Sequence, residues 1–429
     1  MGGTRAVGLL ALGSFAVGTD AYAMAGLLPA IGADLHVSVS LAGQTVTAFT
    51  LCYALAAPLF SAVLARWGTR TLLVTALVVF AVANAGSALA GSYAELLAAR
   101  ALSGAGAGLF TPAAATAAVA LVPPERRGRA LGLVLGGMSA GTVLGVPLGL
   151  LVAAGSGWRA ALWLITGLGL VALLGVATAL PAVEGAAAPS LRARLGALAR
   201  PRVAVVVAVT FTQTVASLGL YTYLEPVLHR AAGVGSAVPY LWAWGIGGVC
   251  GSLLAGTLVD RTGRPALLAV TLLGTLGGAL ALLPWTGSVP GLVLLPLILW
   301  GAAGWAFVVP QQHRLLAQDT TGSAAGAAAV GLNSSATYLG GAAGSALGGL
   351  ALAHGLDARW LPLPAAGVAL AGVLLHLTVA RAVARRAPLP ADAVTPGAGH
   401  ATDHRITDHA NGGGAADATA AEPLERNAP

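Results

Sequence analysis

Charge is scarce in this sequence, and lysine is absent from it. All 22 basic residues of the 429-residue chain are arginines, and charged residues make up 9% of the total, whereas soluble proteins usually contain about 25%. A phosphate-binding loop of the Walker A type requires a lysine, so the chain holds no such ATPase site. With 57% hydrophobic residues and a mean hydropathy of +0.83, the composition excludes a soluble enzyme and predicts a protein embedded in lipid.

Cysteine is equally scarce. Cys52 and Cys250 each lie inside an apolar stretch, so we expect small core residues and no disulfide framework. The histidines and aspartates beyond residue 399 lie in a segment rich in Pro, Gly, Ala and Asp, where a solvated tail is expected in preference to a metal site. The sequence therefore predicts no metal and no cofactor.

Apolar stretches of about 20 residues recur along the chain, which is the length that a helix needs to cross a bilayer. The first of them contains Asp20, is longer than the core of a signal peptide and is followed closely by another, so we expect it to be retained as a helix. Hydropathy, turn residues and charges together predict twelve spans. They lie near residues 6–31, 41–65, 71–90, 94–121, 130–154, 160–181, 203–228, 237–259, 266–285, 289–311, 324–353 and 360–381.

The arginines are distributed unevenly between the two sides that these spans define. If the N-terminus is cytoplasmic, the outer loops hold only Arg159, Arg230 and Arg359, whereas the inner loops and helix ends hold most of the others. This bias follows the positive-inside rule. It predicts a multi-pass protein of the inner (plasma) membrane with both termini in the cytoplasm.

The chain divides into two similar halves. Its longest polar interruption, between Pro181 and Pro201, is basic. We expect an N-terminal six-helix bundle at 1–181, a cytoplasmic linker at 182–201, a C-terminal six-helix bundle at 202–384 and a disordered cytoplasmic tail at 385–429. Prolines and glycines of the first half align with those of the second half at offsets of 195 to 198 residues. The alternative explanation for the alignment is chance matching of Ala/Gly/Leu-rich sequence. The aligned pairs are Pro29 and Pro226, Gly68 and Gly263, Pro112 and Pro310, Gly145 and Gly340, and Gly149 and Gly344.

Three charged residues are predicted inside the spans, where charges are costly and mark functional sites by default. Asp20 in span 1 and Glu225 in span 7 are the candidate proton carriers, and Arg100 lies about 9 Å inside the outer end of span 4. The alternatives are a buried structural pair for Asp20, interfacial exposure for Glu225 and an outward-snorkelling side chain for Arg100. Because burial disfavours a charged carboxylate and a nearby arginine favours it, movement between such surroundings would bind and release a proton.

Aromatic and amide side chains inside the spans are candidates for a substrate cavity. Aromatic residues of membrane proteins also form interfacial belts, which is the alternative for about half of them here. Tyr22 and Tyr223 are preferred because each lies close in sequence to an acidic residue. The candidate cavity residues are Tyr22, Gln44, Phe110, Gln213, Tyr223 and Asn333.

The stretch GTLVDRTGRP, residues 256–265, lies at the predicted cytoplasmic join of spans 8 and 9. It resembles the loop signature that major facilitator transporters carry between helices 2 and 3 and again between helices 8 and 9. A glycine permits close helix approach or a tight turn, and an aspartate can cap a helix or pair with an arginine. The resemblance implies a conformational latch formed by Gly256, Asp260, Arg261, Gly263 and Arg264.

The first-half copy of this loop, SAVLARWGTR, departs from the signature. Ser61 replaces the glycine and Ala65 replaces the aspartate, which puts a latch in the N-terminal half in doubt. The alternative for both loops is a tight turn with arginines placed by the positive-inside rule.

Two further stretches resemble signatures of the same transporters. RALSGAGAG, which begins at Arg100, resembles the helix 4 signature in which an arginine before glycines is implicated in proton coupling. GGMSAGTVLGVPLG in span 5 resembles the antiporter signature of drug exporters, with Val146 intervening before the proline. Glycines at every fourth position let another helix approach closely, although such stripes are common in membrane bundles. The residues that carry this motif are Gly141, Gly145, Pro147 and Gly149.

From residue 5 to about 385 the sequence resembles the twelve-helix drug:proton antiporters, in particular the actinobacterial chloramphenicol-type and sugar-efflux-type exporters. The resemblance implies an all-α membrane protein with the major facilitator fold, in which twelve transmembrane helices form two six-helix repeats. It implies alternating access that exports a small lipophilic compound such as an antibiotic, driven by the proton gradient without a cofactor. The expected partners are the substrate, protons and the lipid bilayer, with no nucleic acid, and the expected state is a monomer.

Two other functions fit the sequence less well. A sugar or metabolite carrier of the same fold, importer or exporter, would need more polar cavity residues than the few Thr, Gln and Asn side chains present. A membrane-embedded enzyme or sensor would need a clustered catalytic set or a folded soluble domain, and neither lies between the predicted spans. The sequence therefore predicts a transporter and not an enzyme.

Overall fold

Apolar stretches fold as helices in lipid because every backbone N–H and C=O must find a partner within the segment. The computed structural model describes residues 2–64, 68–181, 195–286, 289, 291–317 and 324–386, and these form helices and turns with no strand. Eleven helices are long and apolar enough to cross a membrane, and Ala324–Ala353 is the twelfth. The predicted all-α fold of twelve spans is confirmed.

The spans follow the order predicted from hydropathy. Two short helices, Leu28–Asp34 and Leu224–Ala232, follow spans 1 and 7 at the predicted outer face. Spans 1 to 6 run over Thr4–Gly26, Val39–Phe60, Thr69–Leu89, Tyr93–Ala120, Pro124–Ser156 and Trp158–Ala179. Spans 7 to 12 run over Pro201–Thr222, Val238–Thr262, Pro265–Thr286, Leu294–Leu316, Ala324–Ala353 and Ala358–Val379.

Several spans differ from their predicted boundaries by a few residues, and proline explains the differences at the ends of spans 7 and 10. Span 10 extends to Leu316 because Pro310 lies in the first turn of its second helical segment, where a missing N–H costs no hydrogen bond. Span 7 is predicted to reach residue 228 but ends at Thr222. Pro226 cannot donate to the carbonyl of Thr222, so the helix breaks at Tyr223 and a new helix begins at Leu224.

Glycines of span 5 bring this helix into close contact with span 1. A Cβ atom on Gly141 would overlap the carbonyl oxygen of Phe15, and one on Gly145 would overlap the side chain of Thr19. Thr19 Oγ1 donates across the crossing to Gly141 O at 3.2 Å. Residues Gly141–Gly145 form a π-helical turn directly before Pro147, whose missing N–H interrupts the helical hydrogen bonds. The glycine ridge expected from the spacing is therefore a helix contact.

The second half repeats this crossing with the aligned glycines. A Cβ atom on Gly340 or Gly344 of span 11 would overlap Thr214 or the carbonyl of Val215 in span 7. At Gly149, the first-half partner of Gly344, a Cβ would lie 3.9 Å from Ala23 Cβ, which is an ordinary contact. Spans 1 and 5 thus pack in the same way as spans 7 and 11.

A second pair of crossings repeats as well. Gly104 of span 4 packs on the backbone of Phe49 in span 2, and Gly301 of span 10 packs on the backbone of Trp244 in span 8. These shared pairings confirm the two six-helix repeats. The predicted linker residues 182–194, the tail beyond Arg386 and Ala65 of the first-half loop lie outside the described residues, so the exact domain boundaries stay predictions.

The halves meet near the predicted outer face, where spans 2 and 11 run side by side. Ser40 Oγ donates to Gly349 O at 2.6 Å, and Ser345 Oγ donates to Gly43 O at 3.3 Å. The hydroxyl of Tyr223, at the end of span 7, donates to Ser345 O at 2.9 Å. The first two hydrogen bonds join the halves, and the third holds the end of span 7 to span 11 within the C-terminal half.

A stacked ring pair marks the deepest of these contacts. Tyr53 of span 2 stacks on Tyr338 of span 11 with 3.7 Å between ring centroids, about 21 Å along span 2 from Val39 at 1.5 Å per residue. The halves are therefore joined on the predicted outer side and down to the middle of the bundle.

Alanine at Gly141 and at Gly136 tests the crossing of spans 1 and 5, because both glycines lie in span 5 and only Gly141 contacts span 1. Gly136 has open space around it, so Gly136→Ala gains helix propensity and should stabilise the protein by up to about 1 kcal/mol. Gly141→Ala should destabilise it by about 1 to 3 kcal/mol through overlap with Phe15. The apparent Tm of each purified variant in detergent is the measurement, and shifts of equal sign would contradict the crossing.

Candidate functional site

The interior of the N-terminal half contains a buried ion pair between spans 1 and 4. Arg100 Nη1 lies 2.5 Å from Asp20 Oδ1, and the two side chains are 1% and 0% exposed. The arginine turns inward to the carboxylate and does not extend to the lipid headgroups. The structure thus brings together two of the three residues predicted for proton coupling.

Two polar side chains complete the hydrogen bonding of Asp20. Ser103 Oγ, one turn after Arg100, donates to Asp20 Oδ2 at 3.1 Å, and Asn84 Nδ2 of span 3 donates to the same oxygen at 3.2 Å. Arg100 Nη1 also lies 3.2 Å from Ser103 Oγ and 3.5 Å from Asn84 Oδ1. Sequence analysis missed both residues. The signal for Asn84 was an amide within an apolar span, where it needs a hydrogen-bonding partner.

Span 2 covers another side of the guanidinium. Arg100 Cζ lies 4.5 Å from the ring centroid of Phe49, which is within cation–π distance. Arg100 Nε is buried and has no hydrogen-bond partner among the described residues. Asp20 thus accepts hydrogen bonds from one cation and two neutral donors, and spans 1 to 4 all contribute to the surroundings of the pair.

A small cavity lies between the halves beside Tyr22. Spans 1, 2, 7 and 11 form it, and its volume of about 20 Å³ is enough for about one water molecule. No charged side chain lines it. Apart from small and aliphatic residues, the lining consists of Tyr22, Thr50, Tyr221, Thr222 and Tyr338.

The structure does not bring together the six residues predicted for the substrate cavity. Tyr22 lines the cavity. Gln44 and Tyr223 lie against Gly349 at the outer contact of spans 2 and 11. Tyr338, which the sequence analysis missed, belongs to the lining instead, and its signal was an aromatic residue close to the polar Asn333 stretch of span 11.

The remaining three predicted cavity residues lie within single halves. Phe110 is buried against span 1 at Gly13, and Gln213 Nε2 donates to a span 10 carbonyl at 3.4 Å. Asn333 is buried, and its Oδ1 has no partner among the described residues. A part for these three in substrate binding stays a prediction.

Aromatic rings continue from the cavity wall into the C-terminal half. Tyr22 and Tyr221 meet edge to face across the halves at 5.3 Å, and the Trp244 ring lies 4.4 Å from Tyr221. Trp244 also contacts Trp300 and Trp305 of span 10, at 6.1 and 5.4 Å between centroids. Trp244 is 1% exposed, yet its Nε1–H has no acceptor among the described residues. Leaving a buried donor unpaired costs about 1 to 3 kcal/mol.

Glu225, the third residue predicted for proton coupling, lies in the C-terminal half and forms no ion pair with Arg100 among the described residues. It belongs to the short helix Leu224–Ala232, outside the described spans, and is half-buried with Oε2 unpaired among the described residues. Burial raises the pKa of Glu225 to about 7. Its carboxyl group therefore changes charge near neutral pH.

The predicted latch has an ordered turn and exposed charges. Gly263 ends span 8 in the left-handed conformation at φ 59°, and its N–H donates to Val259 O, as a tight turn requires. Asp260, Arg261 and Arg264 are exposed, and none of the ion pairs between described residues involves them. The close helix approach expected at the other glycine, Gly256, is not present, because a Cβ there would meet open space. The latch function stays a prediction.

Comparison with known proteins agrees with this architecture. The family model described as Major Facilitator Superfamily matches residues 10–330. A chloramphenicol resistance protein of Streptomyces lividans is 37% identical over 288 residues, which cover 65% of this chain and 70% of that protein. The inner membrane transport protein YdhP of Escherichia coli (strain K12) is 30% identical over 384 residues, which cover 87% of this chain and 95% of that protein.

Solved structures share the fold at lower sequence identity. The xylose transporter XylE from E. coli, in a partially occluded inward open conformation, matches with a TM-score of 0.70 and 18% identity. The match covers 88% of this chain and 99% of that chain. At this identity the likeness concerns the fold alone.

Removal of one partner of the ion pair should destabilise the protein more than removal of both. Arg100→Leu leaves a buried unpaired carboxylate, so we expect a loss of about 3 to 5 kcal/mol. The double variant Asp20→Leu/Arg100→Leu should recover most of this loss, because apolar replacement of a buried pair is often neutral. Thermal unfolding of the purified proteins in one detergent is the measurement. An Arg100→Leu protein as stable as the wild type would show that the pair is not buried as described.

Proposed function

Because the chain belongs to the Major Facilitator Superfamily, we propose that it exports a small lipophilic compound, such as an antibiotic, in exchange for protons. The chain is a multi-pass membrane transporter and not an enzyme. The observation that carries the proposal of proton exchange is the buried pair of Asp20 and Arg100.

The pair supplies a chemical basis for coupling. In this conformation the cation of Arg100 and two neutral donors favour the charged form of Asp20. The hydrogen-bonding partners of Asp20 lie on spans 3 and 4. If span 1 moved relative to these spans, the carboxylate would lose those partners in a place that water does not reach. Loss of partners favours the neutral form, which binds a proton. Each transport cycle would therefore bind one proton on one side and release it on the other.

The closed outer contact supports alternating access. Hydrogen bonds from Ser40 to Gly349 O and from Ser345 to Gly43 O join the halves at the predicted outer face. If the N-terminus is cytoplasmic, the closed side is the outer one. The space between the halves in this conformation then opens toward the cytoplasm. The exposed charges of the predicted latch at Asp260 agree with an inner side on which the halves are apart. A latch that forms only in the opposite conformation would explain why none is present here.

The cavity lining favours a lipophilic substrate over a sugar. The hydroxyls of Thr50 and Thr222 donate to carbonyls of their own helices, which leaves mainly tyrosine hydroxyls for a substrate. A sugar needs many hydrogen-bonding partners, whereas rings and aliphatic groups suit an apolar solute. The similarity to a chloramphenicol resistance protein supports an antibiotic as the compound exported.

The proposed location is the inner membrane, with both termini in the cytoplasm. The arginine distribution and the similarity to an inner membrane transport protein support it. We propose a monomer as the working unit, since one chain contains both halves and the cavity between them.

Asp20→Asn tests the coupling directly, because the amide cannot exchange a proton. We expect this variant to bind substrate and to exchange it downhill, but not to accumulate it against a gradient. The measurement is uptake of labelled chloramphenicol into everted vesicles or proteoliposomes with an imposed pH gradient. Asp357→Asn, the same substitution at an exposed position, is the control that should pump normally. Uphill transport by Asp20→Asn would show that a group other than Asp20 carries the exchanged proton.

Glu225→Gln tests the second candidate carrier. Because the pKa of Glu225 is raised to about 7 by burial, the wild-type group is protonated below neutral pH and charged above it. We expect Glu225→Gln to flatten the pH dependence of substrate exchange between about pH 6 and 8. The assay is labelled-substrate exchange in proteoliposomes at equal pH on both sides, with Glu95→Gln at an exposed site as the control. An unchanged profile would exclude Glu225 from coupling.

A further inference from the structure

Two tyrosine pairs join the halves of the transporter along the cavity. Tyr22 of span 1 meets Tyr221 of span 7 edge to face at 5.3 Å, and Tyr53 of span 2 stacks on Tyr338 of span 11 at 3.7 Å. Tyr22, Tyr221 and Tyr338 line the cavity itself. Any opening between the halves separates these rings and leaves their faces without contacts.

The cavity is too small in this conformation to hold a substrate. Its volume of about 20 Å³ is well below the roughly 300 to 1,000 Å³ of a site for a drug-sized molecule. The protein's own rings fill the space between spans 1, 2, 7 and 11. A substrate that enters there must replace ring contacts, and another aromatic ring replaces them with the least loss.

Trp244 lies behind the lining residues Tyr22 and Tyr221 and carries an unpaired hydrogen-bond donor. Its ring contacts both Tyr22 and Tyr221, at 6.0 and 4.4 Å, and is 1% exposed. Its Nε1–H has no acceptor among the described residues. Indole N–H groups usually find a partner when they are buried. A hydrogen-bond acceptor on a bound molecule would give the Trp244 N–H the partner that it lacks.

We propose that Tyr22, Tyr221, Trp244 and Tyr338 form a subsite for a flat, uncharged aromatic ring that carries a hydrogen-bond acceptor. The ring stacks on the tyrosines in place of their contacts with each other, and the ring substituent accepts a hydrogen bond from Trp244 Nε1–H. No charged side chain lines the cavity, so the ring itself is uncharged. The subsite rests on the proposed function, since it names the class of compound that the transporter carries.

Binding measurements separate the two interactions of this subsite. The probes are chloramphenicol, whose ring carries a nitro group, and its analogue without the nitro group, titrated into purified protein in nanodiscs. We expect loss of the nitro group to weaken binding to the wild type about tenfold and binding to Trp244→Phe by less than about twofold. Trp285→Phe, the same substitution at an exposed tryptophan, should behave as the wild type.

The stacking contact is tested at Tyr338. Tyr338→Phe keeps the ring and should bind chloramphenicol within about twofold of the wild type, whereas Tyr338→Leu should bind it about tenfold more weakly. Monodisperse elution and an unchanged circular dichroism spectrum confirm that each variant is folded. The conservative Phe variants keep the test valid if the Leu variant fails to fold.

Other results would overturn the subsite. The first is that loss of the nitro group weakens binding equally in the wild type and in Trp244→Phe. The second is that Tyr338→Leu leaves chloramphenicol binding unchanged, and the third is that the wild type binds neither probe. Transport is measured separately in proteoliposomes with a pH gradient. Binding that follows the expected pattern without uphill transport would contradict the proposed export but support the subsite. Export driven by the pH gradient, with binding unaffected by the variants, would support the proposed export but contradict the subsite.

Discussion

The ion pair between Asp20 and Arg100 lies where water does not reach it, so the surrounding helices must supply the partners that both groups have in water. Asn84 of span 3 and Ser103 of span 4 do so for the carboxylate, and Phe49 of span 2 covers the guanidinium. The packing of the first four spans is therefore tied to one charge state. In the proposed cycle a change in that charge state alters which arrangement of the helices is stable, which links protonation to conformation.

The second half builds the same helix crossings without a charge. At the offset of 197, Ser217 takes the place of Asp20, and Trp300 takes the place of Ser103. Trp300 Nε1 donates to Ser217 Oγ at 2.8 Å, so a neutral hydrogen bond stands where the first half has an ion pair. The second half also holds the tryptophans that extend the cavity wall. The two repeats thus share a backbone design and differ in chemistry, with the proposed proton-binding group in the first and six of the nine tryptophans in the second.

Lipid explains why so much of the fold can be predicted from the sequence. Hydropathy marks the spans because no other structure satisfies the backbone there, and the glycine ridge around Gly141 predicts a helix contact because small residues are what such contacts require. Which side chains of different helices contact each other cannot be predicted in this way, because it depends on how each helix is rotated about its axis. Asn84 was missed for that reason, and Tyr223 was assigned to the cavity although its hydroxyl donates to Ser345 O of span 11 near the outer contact. Pro226 carried the signal for the break in span 7, but hydropathy alone continued the helix past it.

Proton release on substrate binding tests most directly whether Asp20 carries the exchanged proton. Substrate is added to purified protein in unbuffered detergent solution near pH 7, and a pH indicator dye records the protons that leave. We expect release from the wild-type molecules in which Asp20 is protonated before substrate binds and none from Asp20→Asn, with substrate affinity retained in both. Equal release from the wild type and from Asp20→Asn would show that the ion pair with Arg100 is a structural element only and that another group exchanges the proton.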